Sequence, residues 1–161
     1  MPSNTPPGGR RVLHFDRLDE VTADVRKLVE ADHRQSLRQA GSWTFGQTLG
    51  HLASWVNYGY DGVPVKIPFF VPWIMRPLKR FVLNRPMKPG ARIPRVPGGT
   101  LAIEVISTEA AIPQFFEAFD RLAKSRPTQP SPLFGPMSHE EWIKLHLRHS
   151  ELHLSFLIPD A

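Results

Sequence analysis

The chain has no cysteine among its 161 residues. That absence removes disulfides, thiolate ligands, iron–sulfur clusters and a cysteine nucleophile together. It fits a reducing compartment, so a cytoplasmic protein is expected. Long apolar runs are missing too. No stretch approaches the roughly 18 apolar residues of a spanning helix. Arg10-Arg11 is not followed by an apolar segment, so no export signal is expected. Neither a zinc-finger spacing nor an RNP-like stretch occurs, so the net charge of +5 does not by itself imply a nucleic acid partner. Acidic residues are absent from residues 62–103, which hold eight prolines and eight Lys or Arg. The rest of the chain therefore sums to −3 (5 − 8), and the basicity is local.

At 41% hydrophobic, the chain can bury a core, and its length suits one domain. Residues 1–14 read as a disordered tail, with M-P-S-N-T-P-P-G-G-R-R at its start. Residues 15–159 read as a single helical domain. Helical spacing begins at Phe15, with Asp16 or Asp19 as cap. Leu18, Val21, Val25, Leu28, Val29 and Leu37 recur at three- and four-residue steps, and Gly41 ends the pattern. His33 falls late in this helix and reads as a surface residue. Thr44 and Gln47 open a second helix as a capping box, and Gln47, His51, Trp55 and Tyr58 share one face of it. A third helix starts near Glu109 or Ala110, because Pro113 belongs in a first turn. Phe115, Phe116, Phe119 and Leu122 give it an apolar face. Short strands can form around Leu101–Ile106, too few for a sheet-based fold.

The last helix, Ser138 to Leu157, is capped by Ser138 with Glu141 and carries four of the seven histidines. At about 100° per residue, His149 and His153 lie roughly 40° apart, with His146 roughly 60° to the other side. Trp142, Leu145, Leu152 and Phe156 fall on the same arc, so the inward face is apolar at its ends and imidazole in its middle. Lys144, Arg148, Ser150, Glu151 and Ser155 fall mostly elsewhere and read as solvated. Inward histidines at i and i+4 fit two roles. They can be hydrogen-bonded core residues, or they can be ligands, since such side chains leave one face about 6 Å apart. His51 would add a third neutral nitrogen from a facing helix. Ser150 stands where the zinc-protease helix has its Glu, so no catalytic base is assigned.

On W-T-F-G-Q-T-L-G-H-L-A and H-S-E-L-H, the chain resembles the DinB/YfiT-like superfamily of four-helix-bundle metalloenzymes. More narrowly, S-P-L-F-G-P-M-S-H-E-E-W-I-K-L-H-L-R-H-S-E-L-H resembles a bacterial domain-of-unknown-function branch of it. The resemblance covers about Phe15 to Pro159. It implies an all-α four-helix bundle and a mononuclear metal held by His51, His149 and His153. It also implies that some relatives transfer small thiols or isomerise thiol adducts, while others have no known activity. His146 matches no ligand position, and with Gln47, Trp55, Tyr58 and Trp142 it is placed behind the ligands or in the cavity wall.

The expectation is thus a four-helix bundle with a long Pro-rich, basic crossover between its second and third core helices. Neutral imidazoles suit one divalent transition metal, with Zn or Ni first among Zn, Ni, Fe and Cu. Any thiol nucleophile must come from a low-molecular-weight cosubstrate. The function expected is a metal-dependent transferase or hydrolase acting on a small substrate. The alternatives are a non-catalytic metal or small-ligand binding bundle, and a membrane-peripheral protein. Residues 62–103 read first as a loop that covers the core with its charges solvated; alternatively Lys66, Arg76, Lys79, Arg80, Arg85, Lys88, Arg92 and Arg95 could attract an anionic substrate to a lid. In the membrane reading, Phe69, Phe70, Trp73, Ile74 and Phe81 insert into an anionic surface. A homodimer is compatible with the sequence.

Overall fold

The computed structural model describes residues 9–90, 92 and 99–160. The described chain is mostly helical, with one two-stranded sheet. Four long helices share one apolar core. Helix α1, Leu18–His33, buries Val21, Val25, Leu28 and Ala31 at the expected spacing. Neither Asp16 nor Asp19 caps it. The Glu20 carboxylate instead accepts from the backbone N–H groups of Asp16 (2.8 Å) and Arg17 (3.2 Å).

Helix α1 also ends earlier than Leu37. Gln35 takes a left-handed φ of 56° and turns the chain. Leu37 then enters strand β1, Leu37–Gln39, which pairs antiparallel with β2, Leu157–Pro159, with Arg38 opposite Ile158. Leu37 has helical spacing, but a partner from the far end of the chain overrides it. For the same reason the last helix stops short of Leu157. The strands expected at Leu101–Ile106 do not form among the described residues, where that stretch is irregular.

Helix α2, Phe45–Asp61, has the expected box: Gln47 N–H donates to Thr44 Oγ1 (3.1 Å), and Thr44 N–H donates to Gln47 Oε1 (3.0 Å). It packs on helix α5, Thr108–Lys124, through Leu49, Leu52 and Val56 against Phe115, Phe119 and Leu122. Each of these buried side chains stabilises the fold by about 1.5–3 kcal/mol relative to exposure. Helix α5 starts at Thr108, capped by Ser107, so Pro113 stands in its second turn rather than its first. The cap bond offsets the one backbone hydrogen bond that proline removes. Gly46 fixes how the chain enters α5. A Cβ there would lie 2.4 Å from the Ile106 carbonyl oxygen, so only glycine lets residues 106–108 cross α2 so closely.

Between α2 and α5 lie two short helices, α3 (Phe70–Met75) and α4 (Lys79–Leu83), joined by a 3-10 turn at Arg76–Leu78. Pro77 stands in the 3-10 turn that interrupts the helix, whereas Pro72, expected to break it too, falls in the first turn of α3, where proline is tolerated. Lys79, expected among the lid charges, is tied to Glu141 at 2.7 Å and fastens α4 to the last helix. Arg95 lies outside the described residues.

Helix α6, His139–Leu154, has the Ser138–Glu141 capping box. His139 Nε2–H donates to the Leu122 carbonyl (2.6 Å), holding its start against the end of α5. Arg148, Ser150, Glu151 and Ser155 were expected in solvent, yet all are buried. Residues before α1 cover Arg148 and Glu151 and reach the Ser155 carbonyl. Of the expected tail, residues 1–8 lie outside the described residues, whereas the following stretch is docked. Arg11 forms a two-pronged pair with Asp24 (2.7 and 2.8 Å), and its backbone N–H donates to the Ser155 carbonyl. Phe15 N–H donates to Glu151 Oε1 (2.7 Å), and Arg148 donates to the Phe15 carbonyl and to His14 Nδ1. No described helix is long and apolar enough to cross a membrane.

Candidate metal centre

Two helices bring the three expected ligands together. His51 stands in the second turn of α2, and His149 and His153 stand one turn apart on α6. Each offers a nitrogen within 4.8 Å of the other two. The Nε2 atoms of His51 and His149 are 3.1 Å apart. Two nitrogens bound tetrahedrally to one ion at about 2.0–2.1 Å would be about 3.3 Å apart, so this pair is already at ligand spacing. The rings meet edge to face, with centroids 4.5 Å apart for His51–His153 and 4.6 Å for His149–His153.

The orientation of His51 is set from behind. Its Nδ1 lies 2.9 Å from the Leu101 carbonyl oxygen. A carbonyl only accepts, so Nδ1 carries the proton and Nε2 presents its lone pair inward. Leu101 reaches this position because the stretch before α5 runs along α2, as the Gly46 crossing allows.

Burial keeps the cluster neutral. It lowers His51 to about 4, against the opposing pull of the Leu101 and Ala102 backbone contacts. It lowers His153 to about 3, helped by the charge of His51. His149 is pushed well below its ordinary value, first by burial and then by its histidine neighbours. His146 is lowered to about 3 by burial alone. Near neutral pH all four rings carry a free lone pair, the form that binds metal.

The cluster opens into a cavity of about 550 Å³. Trp43, Trp55, Leu133, Leu145, Leu152 and Phe156 make its walls largely apolar, and Met87, Pro89, Gly90 and Arg92 close one side. No carboxylate is among its described lining residues. His146 is among the lining residues and stacks on the buried Trp142 ring at 5.8 Å. Both His146 nitrogens and Trp55 Nε1 are buried with no hydrogen-bond partner among the described residues. Gln47 does not line the cavity. Its side chain turns back to cap α2 and donates to the Ile103 carbonyl (3.3 Å). Tyr58 and Trp142 stand behind the wall, Tyr58 edge-on to Trp55 at 5.7 Å.

Trp43 was missed. It stacks on His153 with ring planes 4° apart and centroids at 5.0 Å, and it meets His51 edge-on at 4.8 Å. A signal existed. An apolar residue just before an N-cap usually packs on the fourth helical residue, here Thr48, which gives Trp43 little apolar surface. Its ring had to pack elsewhere.

Residues 8–160 match the family model described as "Protein of unknown function (DUF1569)". The chain belongs to this family. No curated protein and no solved structure matches it. The DUF1569 match spans the whole centre, from the segment before α1 to β2.

Proposed function

We propose that this DUF1569 chain is a DinB-type four-helix bundle. In this reading His51, His149 and His153 hold one divalent transition metal, Zn or Ni first, and the metal acts on a small substrate in the adjoining cavity. The observation that carries the proposal is the 3.1 Å approach of two Nε2 atoms, one of them oriented by the Leu101 carbonyl. Bound there, the metal would supply a Lewis acid that lowers the pKa of a coordinated water or thiol. The chain's own residues do the rest. Three protein ligands leave at least one coordination position to face the cavity. His146, with both nitrogens unpaired among the described residues, is the group available to hydrogen-bond a molecule bound beside His149. Trp43, Trp55 and Phe156 exclude water and favour an apolar body, while Arg92 at the side suits an anionic end. With no cysteine in the chain, a thiol nucleophile would arrive as a cosubstrate.

This supports a thiol-dependent transferase ahead of a hydrolase. Hydrolytic sites usually add a carboxylate base, and none is among the described lining residues. That same lack favours a second reading, a non-catalytic metal or small-ligand carrier. The test is a screen of low-molecular-weight thiols with electrophilic acceptors, using protein loaded with Zn or Ni. Thiol consumption that stops on chelation and in His153→Ala supports the transferase. Metal-loaded protein that consumes no thiol supports the carrier.

A further inference from the structure

Helix α3 has no polar face. Its inner face is apolar, with Val71 buried and Met75 packed on the core. Its outer face is apolar as well. Phe69 is 91% exposed, Trp73 85% and Ile74 61%, and Phe81 of α4 is 57% exposed. A helix on a water-facing surface normally carries polar residues outward, and large exposed apolar patches mark contact sites. The patch is rimmed by exposed cations: Lys66, Arg76, Arg80 and Arg85. The Arg85 guanidinium lies over the Phe81 ring, 4.4 Å from its centroid. Residues 62–103 contain no acid to offset them. The platform is also fastened to the body of the protein. Val71 and Leu83 are buried, and Lys79 is paired with Glu141 of α6.

We propose that α3 and α4 form an interfacial anchor for an anionic lipid bilayer. Phe69, Trp73, Ile74 and Phe81 enter the headgroup boundary, and the surrounding Arg and Lys meet lipid phosphates. Trp and Phe beside a cluster of basic residues are the chemistry that such a boundary recognises. A second copy of the chain fits less well. A two-fold interface sets a patch against itself, which would bring these cations toward their own copies with no acid in the segment to receive them. Met87, Pro89 and Gly90, just beyond α4, line the histidine cavity, so attachment would set one cavity wall beside the lipid surface. The anchor does not depend on the metal.

The experiment is sedimentation of the full chain with phosphatidylcholine vesicles, with and without phosphatidylglycerol. Wild type should pellet with the anionic vesicles, and chelator should not change this. Phe69→Ser/Trp73→Ser should lower the partition coefficient by about tenfold or more, and so should Arg76→Glu/Arg80→Glu. All four side chains are exposed, so circular dichroism of both variants should match wild type. Salt near 0.5 M, with a screening length of about 4 Å, should weaken binding of wild type. Several outcomes would overturn the anchor: wild type that ignores anionic vesicles, variants that bind as wild type does, or binding that chelation abolishes. So would a dimer in sedimentation velocity that Phe69→Ser/Trp73→Ser dissociates while no vesicle binds.

Discussion

Helix α6 buries polar groups on two sides, and the sides differ in how those groups are matched. On one side, Arg148 and Glu151 pair at 2.9 Å and are covered by the segment before α1, which supplies the Phe15 N–H and carbonyl and His14 Nδ1. Burial pushes the Glu151 carboxyl up, and the Phe15 N–H and Arg148 oppose that push. On the other side, His146, His149 and His153 face the cavity, and His51 is the only one of the four rings with a backbone carbonyl partner among the described hydrogen bonds. The first side is matched in large part by its own chain, with Arg148 Nε, Ser150 Oγ and Glu151 Oε2 left without a partner among the described residues, and it serves to close the fold. The second keeps nitrogen lone pairs turned toward a space that a ligand can enter. Position on one helix does not decide the role of a buried polar group. What stands opposite it does.

The largest effect that separates the two sides is acid sensitivity. In chelated protein, the histidines have folded pKa values near 3–4 for His51, His146 and His153, below the unfolded value of about 6.5. The unfolded chain therefore takes up protons that the folded chain refuses, and stability falls as pH drops from about 6.5 toward 4. Each neutral ring contributes about 1.4 kcal/mol per pH unit within that window. Urea unfolding followed from pH 7 to pH 4 should show this slope, and His146→Phe should reduce it by one ring's share. A flat profile would mean that the rings are not buried as a neutral cluster.

Next is the closed side. Arg148→Ala leaves Glu151 buried without its partner and should cost about 3–5 kcal/mol in urea unfolding, whereas Arg148→Met/Glu151→Leu should cost much less. Equal costs for the two would show that the ion pair itself, rather than an orphaned charge, dominates. On the open side, His51→Ala should weaken metal binding by about 100-fold or more while leaving the helical circular dichroism in place, because two imidazoles make a poor site. The smallest effect belongs to Trp43. Trp43→Leu removes a stack worth about 0.5–1.5 kcal/mol and should lower metal affinity only a few-fold, through a less firmly held His153.

The parts legible in the sequence were the local ones. Capping boxes at Thr44–Gln47 and Ser138–Glu141 depend on residues three apart, and the i, i+4 spacing of His149 and His153 fixes their shared face. The parts that were not legible depend on distant partners. Leu37 has helical spacing but pairs with Pro159, and Arg148 and Glu151 look solvated until Phe15, more than 130 residues earlier, covers them. The Leu101 carbonyl that orients His51 is a backbone group, which no side-chain pattern can announce.

The most direct test of the centre is the metal content of untagged protein after dialysis against Zn or Ni at micromolar concentration. It should be measured by elemental mass spectrometry for wild type and for His51→Ala. About one metal ion per wild-type chain and little in the variant is the expected result. Wild type that retains no metal, or a variant that retains as much as wild type, would contradict it.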